Sequence, residues 1–251
     1  MKSKMTSLLF FVSLFSFLLT ACNKDDSPAD DNNNNSNNTS SFSYPDAFGV
    51  LVAVKSVSYT SVAGYEVPVE VNSASAFFPT DAGATTFADA GTVTIEGKSL
   101  TKYQNNSYVY DNYLSPLTLS SLTWNVSGNG NIQSFSKTIT RPVPTFSGHS
   151  SLPSSISKAA GLSISLGSAL YQADSVIVLL TSSNDNVVIK SVAGNASSVS
   201  FSSAELSALS NSTTGSISIS PYNITAETIN NRKYYFVNES SYLKMMVSIT
   251  E

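Results

Sequence analysis

The sequence predicts an all-β protein, and three observations carry this prediction. Apolar and polar residues alternate with period two in several segments, as they do in half-buried strands. Clusters of Gly, Asn, Asp and Ser separate these segments at intervals of about ten residues, which is the spacing typical of a β-sandwich. Only 12% of the 251 residues are charged, while 41% are hydrophobic. The polar remainder is dominated by uncharged Ser, Thr and Asn, which suits an exported β-protein.

Individual strands are predicted from the alternation itself. In residues 64–71 the valines lie on one face, and the glutamates and Pro68 lie on the other. Pro68 cannot donate to a β-ladder, so it predicts an edge strand or a bulge. Residues 175–180 are continuously apolar and rich in β-branched side chains, which predicts a strand buried on both faces. The alternation recurs in three further segments, each predicted to be a strand: residues 92–97, 162–166 and 216–220.

The sequence contains one clear helical signal. Ser202 and Glu205 have the spacing of a capping box, in which each side chain accepts a hydrogen bond from the backbone N–H of the other residue. We therefore expect a single short helix that ends at about Leu209.

Two prolines divide the part of the chain that is expected to fold. Pro142 and Pro144 fix an extended connector that leads into the Gly-, Ser- and Pro-rich stretch 147–155. We therefore predict two tandem immunoglobulin-like β-sandwich domains, residues 42–141 and 142–251, each close to the size of an immunoglobulin domain. The alternative is one jelly-roll-like sandwich in which both prolines lie on a loop.

Residues 1–21 have the layout of a secretory signal peptide. A short basic start precedes an uncharged apolar stretch, which contains several serines and is shorter than a membrane span. Leu19-Thr20-Ala21-Cys22 closes the segment and resembles the lipobox of bacterial lipoproteins. The resemblance implies recognition by a signal peptidase at Leu19, Thr20 and Ala21, and lipidation of Cys22, the only cysteine in the chain. An acylated Cys22 would hold the protein on a membrane without spanning it.

A charged triplet follows the cysteine closely. Lys24, Asp25 and Asp26 resemble the surface-export signal of Bacteroidota lipoproteins, although the same residues are also typical of the start of a charged linker. Together with the lipobox they make the chain similar to surface-exposed Bacteroidota lipoproteins with immunoglobulin-like β-sandwich domains. That resemblance implies a lipid-anchored protein of the outer membrane, exposed at the cell surface. Residues 22–41 are rich in Asn, Ser and Asp and are expected to form a disordered tether.

The composition excludes several functional classes. One Cys and one His exclude a disulfide framework, a Cys/His metal site and a Cys–His dyad. With a formal charge of −4, the chain lacks the excess of basic residues that is typical of nucleic-acid-binding proteins. His149 has no acidic neighbour in the sequence and is expected to lie on a solvated loop. We find no phosphate-binding loop, nucleophile elbow or dinucleotide motif, so no catalytic residue, metal or cofactor is predicted and enzymatic activity is unsupported.

Residues 102–113 contain the one candidate ligand-binding site, a cluster of tyrosines. Aromatic faces beside Asn, Gln and Asp side chains can pack against sugar rings and hydrogen-bond their hydroxyls. The alternative interpretation is that Tyr108 and Tyr110 share one face of a strand and cover the core. The candidate residues are Tyr103, Tyr108, Tyr110 and Tyr113.

Three functional hypotheses follow. The favoured one is a lipid-anchored, non-catalytic binding or adhesion module whose partner is a glycan or another surface protein. The second is a structural subunit of a surface fibre or envelope assembly, joined to its neighbours by strand addition at open sheet edges. The third is a hydrolase that uses carboxylates alone and needs two acids in one cleft, drawn from Glu66, Glu70, Asp81, Asp89 and Asp111.

Overall fold

The computed structural model describes residues 46–63, 65–80, 86–112, 114–183 and 186–251. This part of the chain is mostly β, as the alternation predicts, and it forms one large mixed sheet, small antiparallel sheets and one short helix. In chain order the strands are β1 (Gly49–Val62), β2 (Tyr65–Phe77), β3 (Val93–Ile95), β4 (Lys98–Ser99), β5 (Thr101–Lys102), β6 (Tyr108–Val109), β7 (Leu122–Val126), β8 (Phe135–Ile139), β9 (Thr145–Phe146), β10 (Ser155–Ser157), β11 (Leu162–Ser165), β12 (Leu170–Tyr171), β13 (Ser175–Thr181), β14 (Val187–Ala193), β15 (Ser198–Phe201), β16 (Ser212–Ile229) and β17 (Arg232–Thr250).

The large sheet is organised around its longest strands. Its order is β14-β13-β16-β17-β1-β2-β6-β5, and β10 pairs with the end of β17. β1 and β17 run parallel, in a register that extends from Gly49 opposite Tyr234 to Ser58 opposite Leu243. β1 with β2 and β16 with β17 form antiparallel hairpins. Strands from the two ends of the described chain therefore lie side by side in the middle of one sheet.

The large sheet has two faces that differ in what covers them. Leu51 lies opposite Phe236 on the face that we call the inner face, and Val52 lies opposite Val237 on the outer face. Two large core clusters use inner-face residues. The first includes Leu51, Ala53, Ala74, Ala76, Phe78, Val93, Ile95, Tyr108, Trp124 and Phe236. The second includes Val57, Phe146, Ile156, Ile164, Val176, Val178, Leu180, Phe201, Ile217 and Tyr242.

The apolar run at residues 175–180 corrects one prediction. It forms β13, between β14 and β16, but only Val176, Val178 and Leu180 are fully buried, on the inner face. Ile177 and Leu179 point to the outer face and are half-buried. The continuous apolar run thus reflects two faces of unequal burial, and the prediction of a strand buried on both faces is wrong.

The connector predicted from the two prolines runs across the inner face between the core clusters. The buried side chains of Asn238, Asn223 and Ser240 donate hydrogen bonds to its carbonyl oxygens. Asn238 donates to the carbonyl of Arg141 at 3.0 Å, Asn223 to that of Pro142 at 2.9 Å and Ser240 to that of Pro144 at 2.7 Å. These carbonyls have no strand partner, so the sheet satisfies them with polar side chains.

The predicted short helix with its capping box is confirmed, but it ends at Leu206, before the predicted end at about Leu209. α1 (Ser203–Leu206) begins after Ser202, and the capping box with Glu205 is present in both directions. Its buried residue, Leu206, packs in the second core cluster. Within the residues that the structure describes, no helix is long and apolar enough to cross a membrane.

Candidate functional site

A groove on the sheet β4-β3-β7-β8 is the candidate binding site. Along β7 the side chains of Leu122, Trp124 and Val126 are buried in the first core cluster. Thr123 and Asn125 alternate with them and point the other way, because successive side chains in a strand face opposite sides. The side of this sheet that faces away from the core is therefore built from uncharged polar residues.

The groove has a volume of about 420 Å³ and is open to solvent. Its centre is a row across three strands, in which Thr94 lies opposite Asn125 and Asn125 lies opposite Ser136. The amide of Asn125 donates to the hydroxyl oxygen of Thr94 at 3.3 Å, which orients the amide along this row. We call this site the hydroxyl groove, and its lining residues are Thr92, Thr94, Asn125, Val126, Ser127, Ser134, Phe135 and Ser136.

Phe135 borders the groove, but its ring lies on the other side of the sheet from the row. It pairs with the buried Val126, and its half-buried ring packs against that of Tyr234 with centroids 4.8 Å apart. Because successive side chains in a strand face opposite sides, the ring faces the core while Ser136 faces away from it. The outward face of the groove thus offers hydroxyl and amide groups, and no charged residue is among its lining residues.

One rim of the groove is held by Asp89. Its carboxylate accepts hydrogen bonds from the backbone N–H of Gly91, from Lys102 and from the hydroxyl of Tyr108, at 2.9 to 3.1 Å. Asn129 donates to the same carboxylate at 2.9 Å. These donors, led by the N–H of Gly91, hold the pKa of Asp89 well below its usual range. The carboxylate accepts hydrogen bonds from all four of these donors, and it thereby holds the segments of the rim together.

Glycine is required at position 91 of the rim because the backbone there lies very close to Ser127. Its φ is +74°, and a Cβ at this position would lie 2.3 Å from the Oγ of Ser127. Ser127 uses that oxygen to accept from the backbone N–H of Thr92 at 2.7 Å. The two segments that border this end of the groove are therefore joined directly.

The structure places the predicted tyrosines in different environments. Tyr108 is 1% exposed and Tyr110 is 4% exposed, and both belong to the first core cluster. Burial, together with the neighbouring carboxylate of Asp89, raises the pKa of Tyr108 to about 12. Tyr103 is 48% exposed, with its hydroxyl 3.5 Å from a carboxylate oxygen of Asp111. Tyr113 lies outside the described residues.

These positions correct the predicted ligand surface. Buried rings cannot stack on a sugar, so Tyr108 and Tyr110 leave the candidate site and act as the core packing that the alternative interpretation describes. Of the three tyrosines that the structure describes, Tyr103 is the one exposed to solvent.

His149 is also placed differently from its prediction. It begins the short 3-10 turn His149–Ser151 and is only 4% exposed. Its ring stacks on Tyr59 with centroids 3.5 Å apart, and its Nδ1 lies 3.9 Å from a carboxylate oxygen of Glu66. Its Nε2 is buried without a hydrogen-bond partner. Burial lowers the pKa of His149, so the prediction of a solvated loop histidine is wrong.

The candidate carboxylates engage separate partners. Glu70 pairs with Lys55 at 2.7 Å, and Asp111 accepts from the hydroxyl of Thr101 at 2.9 Å. Glu66 approaches His149, as described above, and Asp89 anchors the groove rim. Asp81 lies outside the described residues. Within the described ranges, no three His, Cys, Asp or Glu side chains are arranged to hold a metal ion.

The lipoprotein signals also lie outside the residues that the structure describes. This applies to the signal peptide, to the tether, and to the residues Leu19, Thr20, Ala21, Cys22, Lys24, Asp25 and Asp26. Their roles therefore stay predictions from the sequence.

Sequence reasoning missed the hydroxyl groove. Thr94 and Asn125 each alternate with buried residues in the sequence, which marks them as outward-facing. The pairing that brings them together with Ser136 joins β3 of one hairpin to β7 and β8 of another, and it leaves no local signal. The chain matches no protein-family model, and a search of curated proteins finds no match to it.

Proposed function

We propose that this chain is a lipid-anchored, non-catalytic binding module of the bacterial outer membrane that captures neutral glycans in the hydroxyl groove. The observation that carries this proposal is the uncharged lining of the groove, in which Thr94, Asn125 and Ser136 place hydroxyl and amide groups side by side across three strands. A neutral sugar needs hydrogen-bond donors and acceptors for its hydroxyls, and this row supplies both.

Cys22 supports the location of this module. Acylation within the lipobox would anchor the chain, and residues 22–41 would serve as a spacer between the lipid and the groove. Lys24, Asp25 and Asp26 support display at the cell surface. We infer no cofactor and no nucleic-acid partner for this function.

We also propose that the folded part consists of two β-sandwich units of immunoglobulin-like type, with the boundary between Arg141 and Pro142. The change of core cluster along the connector supports this, because Val143 packs with the first cluster and Phe146 with the second. β1 and β17 contribute to both clusters, so the two units would share the large sheet.

A glycan panel tests the proposed function. The protein is residues 22–251 with Cys22→Ser, which cannot be acylated, and the probes are neutral and acidic polysaccharides. Asn125→Ala combined with Ser136→Ala should weaken binding of a neutral polysaccharide by about tenfold or more, because two hydrogen bonds are lost.

Thr123→Ala combined with Thr138→Ala is the matched control. These residues pair on the same strands, β7 and β8, and hydrogen-bond each other at 2.8 Å, but they do not line the groove. The control should bind like the parent. The proposal fails if the parent binds no neutral polysaccharide, or if both double variants lose binding equally.

A structural subunit is the second candidate, and one observation favours it. β14 ends the large sheet, and within the described residues no strand pairs with its outer edge. Its sequence contains no proline, and Val187 is exposed. Such an edge can accept a strand from a neighbouring molecule. Sedimentation at increasing concentration tests this, and a monomer at every concentration contradicts it.

A further inference from the structure

The row at the centre of the hydroxyl groove continues onto a fourth strand. Thr94 in β3 lies opposite Asn125 in β7 on one side and opposite Ser99 in β4 on the other. Asn125 in turn lies opposite Ser136 in β8. Residues opposite each other in neighbouring strands share a face of the sheet, so Ser99 faces away from the core with the other three. The row therefore crosses every strand of the sheet β4-β3-β7-β8.

The rows on either side use part of their hydrogen-bonding capacity within the protein. Thr123 and Thr138 hydrogen-bond each other at 2.8 Å, and the hydroxyl of Thr123 also bonds that of Ser121 at 3.3 Å. Beyond the other side of the central row, the Oγ of Ser127 accepts from the backbone N–H of Thr92 at 2.7 Å. Each of these bonds removes a donor or an acceptor that a ligand would need.

The central row keeps more of its capacity for a ligand. Asn125 donates one amide N–H to Thr94 at 3.3 Å, which leaves its second N–H and its carbonyl oxygen. Thr94 accepts this bond through its hydroxyl oxygen and can still donate its O–H. Among the described residues, the hydroxyls of Ser99 and Ser136 have no hydrogen-bond partner, and both residues are exposed.

The row is open at both ends. β4 and β8 are the edge strands of this sheet, and within the described residues neither pairs with a further strand. The exposed residues Ser99 and Ser136 stand at these two edges. A long molecule that lies in the row can therefore continue past both edges, and the site does not require the end of a chain.

The spacing of the row suits a chain of sugars. Neighbouring strands lie about 4.8 Å apart, which is close to the length of one ring along an extended pyranose chain. Four strands then separate the outermost side chains by about 14 Å, or about three such rings. The free amide N–H and carbonyl oxygen of Asn125 provide a donor and an acceptor side by side, as adjacent ring hydroxyls require.

We propose that the hydroxyl groove binds an internal stretch of a linear, extended neutral polysaccharide, which lies across the four strands and reaches Ser99 beyond the groove. The proposal rests on the proposed function, because it names the class of glycan that the groove captures. Ser99 is then a binding residue, although it does not line the groove itself. A coiled chain, such as an α-1,4-linked glucan, would leave the row after one or two rings.

The dependence of affinity on chain length tests this proposal. The protein is residues 22–251 with Cys22→Ser, and calorimetry measures its affinity for two series of oligosaccharides of one to six units. The extended series contains β-1,4-linked glucose and mannose oligomers, and the coiled series contains α-1,4-linked glucose oligomers. Affinity for the extended series should rise by about tenfold or more from the disaccharide to the tetramer, because each ring adds hydrogen bonds until the row is filled.

Ser99→Ala should weaken binding of the extended tetramer by about threefold to tenfold, the effect of one hydrogen bond. It should leave the disaccharide, which can bind at Asn125 and Ser136, nearly unaffected. Ser198→Ala is the matched control, because Ser198 is an exposed strand serine in β15, outside this sheet. It should bind both oligomers like the parent. Circular dichroism confirms that both variants are folded.

Two results overturn this proposal and leave glycan capture in the groove intact. One is equal affinity for the disaccharide and the tetramer, and the other is tetramer binding that Ser99→Ala does not change. A parent that binds a neutral polysaccharide but none of the extended oligomers also overturns this proposal alone. A parent that binds no neutral polysaccharide overturns the proposed function as well.

Discussion

Arg141 and Asp174 form a bidentate ion pair. Nη1 of Arg141 donates to Oδ2 of Asp174 at 2.8 Å, and Nη2 donates to Oδ1 at 2.7 Å. Oδ2 also accepts from the backbone N–H of Ile224 at 3.0 Å. The pair therefore joins the start of the connector to β16 and to the residue that precedes β13, and it holds three separate parts of the chain together.

Asp174→Ala should lower the free energy of unfolding by about 1 kcal/mol at low salt. The value is modest because both side chains are more than a third exposed, so that solvent screens the pair. Arg141 lowers the pKa of Asp174, so the stabilisation is present above the unfolded pKa and is lost as the pH falls through the folded one. Urea unfolding at low and high salt measures this.

The control is Glu251→Gln, which removes an ion pair with Lys158 at the end of the chain. The side chain of Glu251 is 83% exposed, so this change should leave the stability nearly unaltered. Equal effects of the two substitutions would mean that the bidentate geometry at Arg141 contributes nothing.

Asn238→Ala should destabilise the protein by about 1–3 kcal/mol, the cost of leaving buried polar groups without partners. Asn238 is 1% exposed and donates to the carbonyl of Arg141 and to Oδ1 of Asn223. Its removal leaves both acceptors without this donor. Asn131→Ala, at an exposed turn, is the matched control and should change the unfolding midpoint little. Similar midpoints for the two variants would contradict the role of the connector contacts.

The local pattern of the sequence predicts local structure well. The alternation in residues 64–71 and 216–220 predicts parts of β2 and β16, and the spacing of Ser202 and Glu205 predicts the capped helix. These features depend on neighbours along the chain. The mostly β fold follows from them.

The arrangement of the strands could not be predicted in the same way. The parallel pairing of β1 with β17 joins opposite ends of the described chain, and no residue near Gly49 signals a partner near Tyr234. The burial of Tyr108 and His149 depends on such distant contacts, with Asp89 and Tyr59 respectively. Their exposure therefore could not be read from neighbouring residues.

His149→Phe should reduce the loss of stability that accompanies mild acidification. Burial lowers the pKa of His149 below its ordinary value of 6.5, while the carboxylate of Glu66 opposes this and Lys244 adds to it. The unfolded chain then binds a proton that the folded protein does not. Stability contributed by the neutral ring is full above about pH 6.5 and falls as the pH decreases below it.

The substitution keeps an aromatic ring stacked on Tyr59 and removes the titrating group. The measurement is the free energy of unfolding from about pH 8 to pH 5 for both proteins, in the range where histidine titrates. Their difference isolates His149 from the other groups that titrate in this range. Parallel curves for the two proteins would show that the pKa of His149 is not lowered by folding.

Glu239→Gln should have the opposite dependence on pH. The folded pKa of Glu239, about 7, lies above the ordinary value of 4.5. Between these values the folded protein binds a proton that the unfolded chain has released, so the parent loses stability as the pH rises. Glutamine keeps the shape and remains neutral, and the variant should gain stability over the parent between about pH 5 and pH 8.

Urea unfolding at each pH measures this gain, and Glu227→Gln is the control. Glu227 pairs with Lys137 at 2.7 Å near the end of β16 and is a third exposed, so its removal should not make the protein more stable at high pH. The outer face of the sheet must exclude water around Glu239 for the predicted gain to appear. If the difference in stability between Glu239→Gln and the parent is the same at about pH 5 and about pH 8, water reaches this carboxyl group.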